Sequence, residues 1–417
     1  MNAAVQTENP AENPRKRVLF ISGVRVFPCN TGGHVRTGGI ARSLARLGHE
    51  VKIYSLAGRN EDYGLRGMLR PSHRIDAIEP GLTEEIHLGL GYGLIQAVNR
   101  RLDYPRYWQY SLLVRGLIPA RLRVALREAD LILCDLPWCP PIPGPWSTKP
   151  WFLVSHNLEH RLLEQGPPRH QRFAAWMKGV EGEAPRRYRD IFTCAEEDED
   201  FFRRHDPHGG LGLPLIRCGV DPRAYDVPPG TRERVRAELG IGDNERLLVF
   251  SGSGFGPNVE ALAELRAFCA REAEFLERVR ARILVVGSVT PTPFREGALI
   301  ATGRVPEVPP YLAASDAGLN PITRGSGSNV KLFEYLAVRL PVISTPFGTR
   351  GTTLQPEVDF LPFERPSLRS AIERFVHERT LEQWAAYAEA VWSRHRNNID
   401  IGELVRQAIE RVPDFAP

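Results

Sequence analysis

The chain has 417 residues, 42% of them hydrophobic and 25% charged, which supports a folded core and excludes a disordered chain, a collagen-like repeat or a disulfide-stapled miniprotein. At about 150 residues per domain, this length suggests two large domains or three smaller ones. A net charge of +4 over such a length is too near neutral for nucleic acid to be the main partner.

Met1 to Arg15 is polar, carries Pro10 and Pro14, and lacks the apolar centre of a signal peptide. No stretch reaches the ~18 apolar residues of a membrane-spanning helix, so the expected location is cytoplasmic. Val18–Ser22 is a short apolar run closed by Gly23, the pattern of a buried parallel strand. After the loop with Pro28, Gly32 and Gly33, helical periodicity runs from His34 to Leu47, and Val51–Leu56 predicts the next strand. Together these make one β-α-β unit with a right-handed crossover. Further strands are predicted at Leu131–Cys134, Trp151–Val154 and Asp190–Thr193. A second series follows Cys218-Gly219-Val220-Asp221, with strands at Arg246–Phe250, Ile283–Val286, Ala317–Asn320 and Val342–Ser344. Helices are predicted near Asn258–Ala270, Val308–Ser315, Asn329–Val338 and Leu381–Val412. Two successive β/α series of about 200 residues each predict two doubly wound domains facing a cleft.

The cysteines (Cys29, Cys134, Cys139, Cys194, Cys218 and Cys269) show no Cys-x-x-Cys spacing. Buried free thiols in a reducing compartment are therefore expected rather than a zinc site.

In open parallel sheets, ligands bind beyond the carboxyl ends of strands, where loops enter helix N-termini. Two loops satisfy that rule. Asn30-Thr31-Gly32-Gly33 opens the first helix, and its paired glycines let backbone N–H groups approach a phosphate. The second, Pro321 to Glu334, contains Arg324-Gly325-Ser326-Gly327-Ser328-Asn329-Val330-Lys331. Only five of the 54 cationic residues are lysines, and Lys331 sits in a first helical turn, where a cation opposes the helix dipole. That placement suggests a bound anion. Glu334 lies one turn on along the same face, and an exposed Lys331–Glu334 ion pair is the competing explanation. No GxGxxG or Walker lysine motif is present, so a nicotinamide dehydrogenase is disfavoured.

Gly325-Ser-Gly-Ser-Asn-Val-Lys-Leu-Phe-Glu-Tyr-Leu-Ala337, followed by Leu340–Thr345 and Gly348-Thr349-Arg350-Gly351, resembles the donor motif of retaining GT-B glycosyltransferases of the group 1, or family-four, class. Matching pieces occur in the family's order from Val18 to Gly351: Gly32-Gly33, Gly48-His49-Glu50-Val51, Ser155-His156-Asn157-Leu158-Glu159, Cys218-Gly219-Val220-Asp221, Ser251-Gly252 with Pro257-Asn258, and Gly303-Arg304-Val305. The resemblance implies an α/β GT-B fold with three parts. Residues 1–220 would form an acceptor-side Rossmann-like domain, with 1–15 outside its fold. Residues 221–390 would form a nucleotide-sugar-binding domain, and 391–417 a helix returning to the first. It implies that Glu334 holds a ribose and Lys331 a diphosphate, with N–H groups near Ser328 and Asn329 adding to the site. Gly32 and Gly33 would approach from the opposite domain, Val305 would lie beside the base, and His156 would touch the transferred sugar or position the acceptor.

The sequence departs from the family at two places. Ser326 stands eight positions before Glu334, where a second glutamate is common, and the family's arginine and lysine after the first strand of the second domain give way to residues around Ser253. Ser253 and Ser326 are then the expected donor contacts there, with Arg324 or an arginine of the other domain as a substitute cation.

The implied activity is metal-independent transfer from a nucleoside-diphosphate sugar, a co-substrate rather than a cofactor, to a glycan, lipid-linked or small-molecule acceptor. Asp198-Glu199-Asp200 has the form of a metal-binding Asp-x-Asp, but its acidic surroundings fit the solvated first turn of a helix. Residues 95–127 interleave Arg100, Arg101, Arg106, Arg115, Arg121, Arg123 and Arg127 with Tyr104, Tyr107, Trp108 and Tyr110. This is either a solvated face or a peripheral membrane patch reaching a lipid-linked acceptor. A non-catalytic nucleotide-sugar binder or scaffold, or a nucleotide-sugar epimerase, is the alternative on the same fold.

Overall fold

The computed structural model describes residues 15–23, 25–29, 32–56, 72–88, 119–135, 137, 141–142, 144–145, 148–325, 329–364 and 367–415. They form two lobes, each built on a seven-stranded sheet. The first contains β1 (Arg17–Ser22), β2 (Glu50–Ser55), β3 (Ser72–Glu79), β4 (Leu82–Leu88), β5 (Leu131–Asp135), β6 (Trp151–Val154) and β7 (Asp190–Phe192), in the order β3-β4-β2-β1-β5-β6-β7. The second contains β8 (Arg246–Ser251), β9 (Ala281–Val286), β10 (Phe294–Glu296), β11 (Leu299–Ala301), β12 (Ala317–Asn320), β13 (Val342–Ser344) and β14 (Leu361–Pro362), in the order β10-β11-β9-β8-β12-β13-β14. Every pairing is parallel except β3 with β4 and β10 with β11.

Continuous apolar runs form the inner strands because helices cover both faces of each sheet. Along β1, Leu19 and Ile21 enter one core while Val18 and Phe20 enter the other. In the second lobe, Leu248 and Phe250 face one way and Leu247 and Val249 the other. The predicted inner strands are all present, whereas the edge hairpins were not predicted. Pro80-Gly81, with Gly81 at φ +81°, is the turn signal that marks β3–β4.

Six helices position the site: α1 (Gly32–Arg46), α2 (Glu196–His205), α3 (Gly256–Arg271), α4 (Val330–Ala337), α5 (Leu381–Ile399) and α6 (Ile401–Ile409). The predicted terminal helix is divided at Asp400, whose extended backbone ends α5 and whose carboxylate accepts the Gly402 N–H at 2.9 Å to cap α6. Trp384 and Val391 of α5 pack in the second lobe, while Leu404 and Val405 of α6 pack against the first. Both chain crossings between lobes meet here. The Val220 N–H donates to the Ile399 carbonyl at 2.9 Å and the Ile401 N–H to the Val220 carbonyl at 3.0 Å. A Cβ on Gly219 would lie 2.5 Å from the Ile399 oxygen, so this approach requires glycine.

Among the described residues no helix is long and apolar enough to cross a membrane. Of the Arg-rich stretch, 95–118 lies outside the described residues; the remainder enters the helix Ala120–Glu128. Cys134, Cys194, Cys218 and Cys269 are buried free thiols and Cys29 is half-buried, while Cys139 lies outside the described residues.

Candidate functional site

In the second lobe the sheet order reverses between β8 and β12, and the carboxyl ends of these strands form the switch-point crevice. Ser251 ends β8, and the loop after β12 delivers α4, with Asn329 at its N-cap. Lys331 is buried rather than paired on the surface. Its ammonium donates to Asn258 Oδ1 at 3.1 Å and lies 5.2 Å from the centre of the Phe250 ring. Asn258 in turn donates to the Ser253 carbonyl at 3.1 Å, so one amide ties the loop after β8 to the cation on α4. Burial pushes the Lys331 ammonium down to about 8; Glu334 opposes that shift and Arg350 adds to it.

Glu334 is half-buried, and each carboxylate oxygen has a protein donor: Tyr225 Oη at 2.9 Å and Ser251 Oγ at 3.4 Å. Burial raises its pKa, with Tyr225, Lys331 and Ser251 pulling the other way. Tyr225 comes from the turn Pro222–Tyr225, just after the interlobe crossing. The distance along the chain explains why motif reading missed it. Val305 is half-buried against the core that Leu247 and Val249 enter, which also takes in Tyr225 and Val330. Ser326 and Ser328 lie outside the described residues.

The first lobe approaches through the N-terminus of α1. A Cβ on Gly32 would come within 3.1 Å of Val330 Cγ2, so this glycine permits close approach of the lobes. A Cβ on Gly33 would meet nothing within 4 Å. Gly33 is therefore a glycine that packing among the described residues does not demand.

His156 follows β6 and belongs to a hydrogen-bonded network at the first lobe's switch point. Its Nε2 lies 2.6 Å from Asp135 Oδ1, the end of β5, and 3.2 Å from Thr37 Oγ1. Asp135 also accepts from Ser22 Oγ and Thr37 Oγ1, both at 2.9 Å. Burial raises the Asp135 pKa, but the neighbouring imidazole and these hydrogen bonds outweigh it and hold the carboxyl below its ordinary range. Arg36 Nη1 lies 3.5 Å from His156 Nδ1, and the fully buried Arg36 guanidinium donates to the carbonyls of Ser155, Phe192, Thr193 and Ile216 at 2.8–3.3 Å. The imidazole is thus held at both nitrogens, with its side chain 10% exposed. Asp135 escaped sequence reading because a lone aspartate ending a strand carries no local signature.

The acidic run Glu196–Asp200 does open α2, but it is not wholly solvated. Asp198 is buried against Cys194, whose Sγ donates to its Oδ2 at 3.4 Å, and burial pushes the Asp198 carboxyl up to about 6. Among the described residues no cluster of three or more His, Cys, Asp or Glu side chains could hold a metal ion. Arg324 is exposed and forms an ion pair with Glu260. The arginine beside the loop after β12 is Arg350, whose Nη2 lies 3.1 Å from the position a Cβ on Gly325 would occupy.

Two Rossmann-like lobes with this strand order, joined by paired crossings, constitute the GT-B fold. Solved structures share it: Anabaena HepE in complex with UDP and glucose is 14% identical, with TM-score 0.65 over 96% of this chain and 100% of that one. Sucrose-phosphate synthase from Thermosynechococcus elongatus is 16% identical, with TM-score 0.65 over 95% of this chain and 100% of its own. WaaG, a glycosyltransferase involved in lipopolysaccharide biosynthesis, is 17% identical, with TM-score 0.57 over 94% of this chain and 98% of its own. Residues 245–376 match the family model described as Glycosyl transferases group 1, a segment running from the start of β8 through the Lys331 loop. Among curated proteins, none matches the chain by sequence.

Proposed function

We propose that the chain is a glycosyltransferase that moves a sugar from a nucleoside-diphosphate donor to a glycan, lipid-linked or small-molecule acceptor, without a metal and with retained anomeric configuration. The observation that carries this reading is the convergence at one switch-point crevice of a buried ammonium, Lys331, and a carboxylate one turn away, Glu334, inside the segment that matches the group 1 family. A pyrophosphate needs a cation and helix N–H donors, and a ribose diol needs an acceptor. The crevice supplies both. Gly33 on the facing lobe leaves room for the same anion, and UDP or UDP-glucose occupies HepE of this fold.

During transfer, negative charge grows on the departing diphosphate. The fixed Lys331 ammonium and the α4 N-terminus meet that charge without reorganising, which is the most effective form of electrostatic catalysis. The acceptor attacks from the leaving-group face, giving retention. Lys331 is the leaving-group cation, and Gly32, Gly33, Ser253, Val305, Ser326, Ser328, Asn329 and Glu334 are the donor contacts. His156, its ring fixed by Asp135, faces the transferred sugar or the acceptor. Acceptor delivery from a lipid surface through 95–127 is part of the proposal, and sedimentation with anionic liposomes at low salt tests it: no co-sedimentation removes it.

The decisive experiment is a thermal-shift screen of nucleotide-sugars with their free nucleotides. A donor at 100 times its Kd stabilises the fold by about 2.7 kcal/mol. Stabilisation by one nucleotide-sugar and its diphosphate, followed by its hydrolysis or transfer, is expected. No stabilisation by any overturns the reading; binding without turnover leaves only a nucleotide-sugar binder.

A further inference from the structure

We infer that Arg350 is the second cation of the donor diphosphate site, placed there by the turn after β13 rather than by the loop after β8. The inference rests on the glycosyltransferase reading and identifies which residue replaces the missing arginine and lysine.

The backbone carrying Arg350 is held tightly. It follows the 3-10 turn Phe347–Thr349, whose Gly348 carbonyl accepts from Asn329 Nδ2 at 2.7 Å and from Asn320 Nδ2 at 3.1 Å. Asn320 ends β12 and Asn329 caps α4, so this turn is fastened to both flanks of the donor loop. A Cβ on Gly348 would fall 2.4 Å from Asn320 Nδ2, which makes glycine necessary for that fastening. From this base the guanidinium lies over the Phe347 ring, 4.3 Å from its centre, and Nη1 donates to the Phe347 carbonyl at 3.3 Å. Its outer nitrogen reaches Gly325, where φ is +136° and a Cβ would sit 3.1 Å from Nη2.

Two cations therefore stand close enough at this crevice to interact, Lys331 on α4 beside Asn258 and Arg350 on the turn beside Gly325. Burial lowers both charges, the Lys331 ammonium to about 8 and the Arg350 guanidinium to about 10, and Arg350 adds to the depression of Lys331. The charged groups that offset Arg350 are Glu197 and Asp198 at the start of α2, while Glu334 offsets Lys331. An anion with two phosphate groups between the cations relieves their repulsion, and a planar guanidinium can bind phosphate through two parallel hydrogen bonds.

The test titrates UDP, ADP, GDP and dTDP, then the matching nucleosides, into wild type, Arg350→Gln and Arg350→Lys. For the diphosphate that wild type binds, Arg350→Gln is expected to weaken affinity about 10- to 100-fold, as loss of a charged hydrogen bond does. Nucleoside affinity should stay within about twofold, and lysine should recover part of the loss. In wild type, labelling of Arg350 by phenylglyoxal should be blocked by that diphosphate and not by the nucleoside, a readout independent of whether the variants fold. Unchanged diphosphate affinity in Arg350→Gln, equal losses for diphosphate and nucleoside, or labelling that diphosphate does not affect overturns the assignment while leaving the glycosyltransferase reading intact. Failure of wild type to bind any of the four diphosphates overturns both.

Discussion

The two lobes repeat one plan of seven strands, with the antiparallel hairpin at the same edge and the order reversing at the same place. They use the carboxyl ends of those strands differently. In the first lobe, Asp135 accepts from Ser22, Thr37 and His156, and Arg36 donates to four backbone carbonyls. Polar groups there satisfy one another, and the crevice is fixed from within. In the second lobe, burial depresses both Lys331 and Arg350, and Arg350 adds to the depression of Lys331. Buried like charges cost free energy, so the second lobe holds a cost that a bound anion would relieve. On the proposed reading, one architecture supplies a rigid wall and a charged receptor. The predictions test that division.

The largest effect belongs to the receptor. Lys331→Met, which removes the charge but keeps much of the volume, should lower turnover on the order of 10²-fold or more, comparable to loss of one oxyanion donor. Its melting temperature should fall little, because the lost ammonium was already disfavoured by burial. Turnover within about threefold of wild type would contradict the division. The wall behaves in the opposite way. Asp135→Ala strips a buried acceptor from three donors and should destabilise the fold by about 3 kcal/mol. Nucleoside-diphosphate affinity should remain within about twofold, read by denaturant melts beside calorimetry. A large loss of that affinity with an unchanged melt would place Asp135 in the receptor instead.

How much of this was legible in the chain follows from where the partners lie. The inner strands announce themselves as unbroken apolar runs because both sheet faces are covered, while the edge hairpins are broken by polar residues in β3 and β4 or only three residues long in β10 and β11, and merge with loops. Lys331 and Glu334 are legible because three residues on a helix place them on one face. Their partners Ser251, Asn258 and Tyr225 come from 73 to 109 residues earlier and meet them only in the fold. The position of Arg350 beside Gly325 is equally invisible, being set by how the turn after β13 is fastened to Asn320 and Asn329. Burial of Asp198 was misread because an acidic first turn suits the helix dipole whether or not one member points inward.

The receptor should also respond to pH. With the Lys331 ammonium at about 8 in the donor-free protein, a bound diphosphate favours the charged form and raises that value. Between the two values the complex holds more protons than the free protein, so binding takes up protons. Affinity then falls as pH rises above about 8, by up to tenfold per pH unit. Calorimetry in two buffers of different ionisation enthalpy reads the proton uptake directly. Constant affinity from pH 7 to 9.5 would show that the ammonium does not face the anion.

The smallest effects come from the paired glycines, and they separate packing from binding most cleanly. Gly32→Ala places a methyl 3.1 Å from Val330 Cγ2, so the lobes must shift by a few tenths of an ångström, at a cost of up to about 1 kcal/mol in stability. Gly33→Ala meets nothing within 4 Å among the described residues, and in a helical first turn alanine should raise stability by about 0.4–1 kcal/mol through the unfolded chain. If a diphosphate approaches that backbone, the same methyl intrudes on it, and Gly33→Ala becomes a protein that melts higher yet binds its donor more weakly. A stabilised variant with full donor affinity would mean that the α1 N-terminus borders the cleft without touching the anion, leaving recognition to the second lobe alone.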